Sequence, residues 1–178
     1  GKVYDDGETE AVVKKYISYM TYGKEYDVTS LDIPSGIKGD ENWNYLPKLQ
    51  WVDVSQKDSF GEKGALITHI AFITKEKKDS SLMLLGGENV SLFLKIKTIG
   101  KIYDTGLGLV LKDKLGNQIV GINNYIYDIE LDTLEGNKTY CFEVSFKFPK
   151  LKNGEYIFTV ALSDGTQESH IQHHWIYD

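Results

Sequence analysis

"TYCFEVSFKF", residues 139–148, places an apolar side chain at every second position, from Tyr140 through Phe142, Val144 and Phe146 to Phe148. Residues two apart share one side of a strand, so this run reads as a β-strand buried on one face. "EYIFTVALS" (155–163) repeats the pattern with Tyr156, Phe158, Val160 and Leu162. Upstream lie "LQWVDV" (49–54), "ALITHIAFIT" (65–74), "NVSLFLKIKT" (89–98), "LGLVLKDK" (107–114) and "NQIVGINNYIY" (117–127), and "ESHIQHHWIYD" (168–178) closes the chain. Val90, Leu92, Leu94 and Ile96, and Leu107, Leu109 and Leu111, make further apolar faces. Turn-forming residues separate the runs: "GGE" at 86–88, "KLGN" at 114–117, "EGN" at 135–137, "NG" at 153–154 and "DG" at 164–165. Strands and turns with no helix between them predict an all-β fold, an antiparallel β-sandwich of immunoglobulin-like or jelly-roll type.

Ahead of the strands, residues 9–21 carry Val12, Val13, Tyr16, Ile17 and Met20 at helical spacing, with Thr9 as N-cap and Gly23 as stop, so a short N-terminal helix is expected. An isolated helix of that length is marginal in water and needs a surface to pack on. Residues 25–47 have no sustained period and read as a linker, and 48–178 as the sandwich. The chain opens Gly-Lys rather than with Met, which fits a piece of a longer protein.

Of 178 residues, 41% are hydrophobic and 26% charged, and the 12 Tyr, 7 Phe and 3 Trp suit a β-rich globule. A formal net charge of −6 argues against nucleic acid as a partner, because no basic field is available to displace counterions from phosphates. The single cysteine, Cys141, excludes an intrachain disulfide and sits in a strand pattern rather than beside a catalytic partner. No apolar run approaches the ~18 residues of a membrane span.

Three of the four histidines fall in the last nine residues. On a strand, His170 and His174 share a face but lie roughly 13 Å apart, with His173 opposite, so one metal held by this stretch alone is disfavoured. A metal-dependent enzyme would need His69 beside His170 and His174. No phosphate-cradling loop, nucleophile elbow or thiol pair appears, and the sequence offers no enzyme signature and no cofactor motif. A binding surface is better supported. On 117–127 the odd positions Ile119, Gly121, Asn123, Tyr125 and Tyr127 are expected on one face, and on the last strand His170, Gln172 and His174 on another. Aromatic rings that stack on sugar CH patches, next to amides and imidazoles that donate and accept, make Asn123, Tyr125, Tyr127, His170, Gln172 and His174 the candidate carbohydrate-binding residues.

"GLGLVLKDKLGNQIVGINN" (106–124) and "FKFPKLKNGEYIFTVALSDGTQESHIQHHWIYD" (146–178) resemble the C-terminal carbohydrate-binding domain of the ATP-binding subunit of O-antigen polysaccharide ABC transporters, the Wzt family. The resemblance implies a non-catalytic, cytoplasmic module that recognises O-antigen polysaccharide, in some members through a modified non-reducing end, for export in lipopolysaccharide biosynthesis. It implies the transporter ATPase and membrane subunits as partners and a homodimer, with the histidine-rich last strand open to exchange between subunits. It also makes residues 1–24 the tail helix of an upstream nucleotide-binding domain. The chain itself carries no P-loop or ATPase motif. The alternative is a protein-docking or dimerisation module that binds no sugar.

Overall fold

A computed structural model describes residues 38–40 (main chain), 49–74 and 83–177. Among the described residues ten strands form two antiparallel five-stranded sheets. In chain order they are β1 (Lys38–Asp40), β2 (Val52–Asp53), β3 (Ser59–Phe60), β4 (Ala65–Thr74), β5 (Asn89–Thr98), β6 (Thr105–Asp113), β7 (Gln118–Asn123), β8 (Thr139–Lys147), β9 (Tyr156–Gly165) and β10 (His170–Ile176). Sheet A has the order β1-β8-β5-β4-β2, and sheet B the order β3-β10-β9-β6-β7. Hairpins β4–β5, β6–β7 and β9–β10 stay within a sheet, while the connections β5 to β6, β7 to β8 and β8 to β9 cross between sheets. A three-strand unit β4-β5-β8 facing β10-β9-β6-β7 is the strand order of an immunoglobulin-like sandwich, which settles the choice against a jelly roll.

The apolar alternation builds the core as the sequence predicts. Leu92, Leu94, Ile96, Phe142, Val144 and Phe146 from sheet A meet Leu107, Leu109, Leu111, Val160 and Leu162 from sheet B, all buried in one cluster. Phe158 packs edge-on against Phe146 and Phe148, with centroids 6.2 and 6.4 Å away. The expected N-terminal helix lies outside the described residues. Lys38–Asp40 fall in the segment read as linker, yet pair with β8 as an edge strand. "LQWVDV" contributes only the two residues of β2.

The chain changes sheets between β3 and β4. Glu62 and Lys63 donate backbone hydrogen bonds to the carbonyls of Gln172 and His173 at 2.9 Å, after which Ala65 enters sheet A. The passage is tight: a Cβ at Gly61 would lie 2.5 Å from the His173 carbonyl oxygen, at a φ of +123° that residues with side chains rarely adopt. On the outer side of sheet A, Ala71, Phe93 and Cys141 are buried with Leu49, Trp51 and Ile73 packed against them, and the Lys95 ammonium sits 4.6 Å from the centre of the Trp51 ring. Sheet A is thus partly covered on its outer face.

Candidate functional site

The outer face of sheet B is built differently. Strand register places Gly106, Gly108 and Val110 of β6 outward, opposite Ser163, Ala161 and Thr159 of β9, because Leu107, Leu109 and Leu111 point into the core. The same alternation turns Gly121 and Asn123 of β7, and Trp175 of β10, to this side. The floor is therefore glycine and short side chains. Glycine in a strand interior forfeits packing and marks a place where another molecule or chain can come close. A Cβ on Gly121 would meet nothing within 4 Å, and one on Gly108 would make ordinary contacts with the Ala161 methyl at 3.7 Å and with Asn123 Cβ and the Ile122 carbonyl oxygen at 3.9 Å.

Aromatic rings bound this floor on two sides. Across the β3–β10 edge, Phe60 pairs with Trp175, and their rings stack with centroids 5.7 Å apart. Phe60 also meets Tyr177 at 5.5 Å, and Phe60 and Tyr177 are both exposed. On the far side, Tyr125 leans over Gly106 and donates its hydroxyl proton to the Gly165 carbonyl oxygen. Burial, then the Asp104 carboxylate nearby, hold this phenol above its ordinary pKa, so it remains a donor. The result is a shallow trough with stacking rings at one rim and a fixed tyrosine at the other.

The candidate residues divide. Asn123 lies on the trough face, but its Oδ1 accepts the Ile126 N–H at 2.8 Å and holds the turn. Tyr125 and Tyr127 are not on the strand, because β7 ends at Asn123 and residues Tyr125–Tyr127 form a 3-10 turn. That corrects the expected continuous face. Tyr125 reaches the trough all the same, while Tyr127 packs against the core. His170 is exposed at the start of β10, with Nδ1 3.1 Å from the Thr166 carbonyl oxygen. Gln172 lies in register with Ser163 on the outer face, yet spends its Nε2 on the carbonyls of Leu162 (2.8 Å) and His174 (3.2 Å).

His174 departs from the expected face altogether. A β-bulge between Gln172 and His174 shifts the register by one residue, so His174 pairs with inward-facing Leu162. It is buried, and its Nδ1 accepts the Ile67 N–H at 2.9 Å. Burial, then the Lys63 charge, lower its pKa to about 4, which keeps the imidazole neutral. His173, in the bulge, is also buried, and neither ring nitrogen has a partner. His69 stands on sheet A between the registers of Asp53 and Lys95, with Nδ1 3.0 Å from the Thr68 hydroxyl. Among the described residues no three His, Cys, Asp or Glu side chains converge as metal ligands.

Phe60 and Gly108 escaped the sequence reading, whereas Gly121 stands on the face expected of it, beside Asn123. Gly106 and Gly108, two apart in a strand, were the available signal; Phe60, in a two-residue strand among turn formers, gave no period to read.

The chain matches the Wzt C-terminal domain family over residues 56–178 and belongs to that family. In family terms it is a non-catalytic, carbohydrate-binding module of an ABC-transporter subunit. The fold is similar to a crystal structure of the C-terminal domain of Wzt, with a TM-score of 0.61 and 17% sequence identity over 78% of this chain and 81% of that one. No curated protein sequence matches this chain. Among the described residues no helix is long and apolar enough to cross a membrane.

Proposed function

We propose that this module recognises O-antigen polysaccharide for export by an ABC transporter and does so on the outer face of sheet B. It would act at the cytoplasmic side of the inner membrane, with the transporter ATPase and membrane subunits as partners and a homodimer as the working unit. Asn123, Tyr125 and His170 remain in the proposed site, Phe60, Trp175 and Tyr177 join it, and Gln172 supports it from the bulge. Tyr127 and His174 act from the interior, as packing and as an anchor.

The observation that carries the reading is the stacked Phe60–Trp175 pair beside a floor opened by Gly108 and Gly121. Sugar rings offer flat CH patches that stack on aromatic faces, and a glycine floor lets the ring edge approach the sheet. Each contact is weak, so selectivity comes from hydroxyls that the wrong glycan leaves unpaired. Two sites in a dimer add avidity where both can engage one polysaccharide.

Titration with the source organism's own O-polysaccharide, against a heterologous one, tests this. Saturable binding of the native glycan alone, with NMR shifts at Trp175 and Gly121, is expected. A folded protein that binds neither would favour the docking-module reading instead.

A further inference from the structure

We propose that the sheet B trough takes an uncharged stretch of glycan and discriminates by ring stacking and hydroxyl contacts, not by charge. This rests on the carbohydrate-binding reading above and narrows its substrate class.

The argument is a contrast between the two outer faces of one molecule. Strand register turns Lys95, Lys97, Glu143 and Lys147 outward on sheet A, the usual polar exterior of a sandwich. On sheet B, among the described residues, the outward positions of the paired strands carry one formal charge, Lys112, in register with Ile157 and Gln118 at the end away from Tyr125. Over a chain that is 26% charged, that is a selective omission. The sequence also contains no arginine, the side chain whose planar fork binds carboxylate and phosphate through two parallel hydrogen bonds.

An anionic sugar laid on this floor would lose water, meet no outward lysine on the paired strands short of Lys112, and lie beside the Asp104 carboxylate at the Tyr125 rim, which is unfavourable. A neutral sugar loses little by the same transfer, because its CH face goes to the Phe60 and Trp175 rings and its hydroxyls stay at the wet margins.

Gly121 provides a test that does not depend on knowing the glycan. Open space above it admits a long side chain, so Gly121→Lys and Gly121→Glu place opposite charges at one point of the trough. The full chain, these two variants and Trp175→Ala would be screened against purified bacterial O-polysaccharides, some neutral and some bearing uronate or phosphate, with affinities measured by calorimetry.

Three results are expected together: binding confined to neutral glycans, a Kd that moves less than about 2-fold between roughly 50 and roughly 500 mM NaCl, and equal weakening by the two charge variants. Trp175→Ala should weaken binding at least about 10-fold. Preference for acidic glycans, or Gly121→Lys binding more tightly than Gly121→Glu, overturns the neutral-ligand inference and leaves carbohydrate binding standing. Binding of no glycan by a folded protein overturns both.

Discussion

The imidazole of His174 on sheet B accepts a hydrogen bond from the main-chain N–H of Ile67 on sheet A, at 2.9 Å, and so ties the two sheets along the edge where the chain crosses between them. Only a neutral ring can accept at Nδ1. The native pKa of about 4 lies below the ~6.5 of an unfolded histidine. As pH falls through that window the unfolded chain takes up a proton that the native state refuses, so stability is complete above about pH 6.5 and declines toward pH 4. Up to roughly 3 kcal/mol is at stake. His174→Asn keeps an acceptor and removes the titration. Urea unfolding of both proteins between pH 7 and pH 4 should give a shallower loss for the variant; parallel curves would show that His174 is not the titrating group.

Asn124 plugs the neighbouring end of sheet B. It is buried, its Oδ1 accepts the Leu107 N–H at 2.8 Å, and its Nδ2 donates to the carbonyls of Thr105 (3.2 Å) and Ile129 (3.1 Å). Asn124→Ala would strand these groups in the interior at a cost of about 3 kcal/mol. Because the same residue begins the turn that carries Tyr125, glycan affinity should fall with it. Normal urea stability in the variant would refute the plug assignment.

Much of this was legible beforehand. Val90 to Ile96 and Tyr140 to Phe148 alternate cleanly because their strands are regular and buried on one face, and there a period of two is sufficient. The site was harder to read because the departures from regularity lie there. The bulge at Gln172–His174 reverses every side chain after it, and the turn at Tyr125–Tyr127 ends a strand that the pattern would continue. Both depend on contacts distant in sequence: Lys63 N–H to the His173 carbonyl, and Tyr125 hydroxyl to the Gly165 carbonyl.

Gln172 is the internal brace of that bulge. Its amide satisfies the Leu162 carbonyl and the His174 carbonyl, so Gln172→Leu should cost about 1–2 kcal/mol. The loss should be local. Hydrogen exchange is the apt measurement: amides of β10 should lose protection while those of β5 and β8 keep theirs, and uniform loss would contradict a bracing role.

The glycines separate stability from binding. Gly61 adopts a φ of +123° against the His173 carbonyl, so Gly61→Ala combines backbone strain with a main-chain clash and should cost at least about 2 kcal/mol. Gly121 is the opposite case, an exposed position inside a strand with open space where a side chain would project. Threonine suits such a position, and replacing a glycine there should stabilise by roughly 0.5–1 kcal/mol. A protein selected for stability alone would carry a side chain at 121. If the trough needs its floor open, Gly121→Thr will raise the urea midpoint while lowering glycan affinity. Opposite signs in these two readouts are what a functional glycine predicts, and a variant both more stable and equally tight would place the glycan elsewhere.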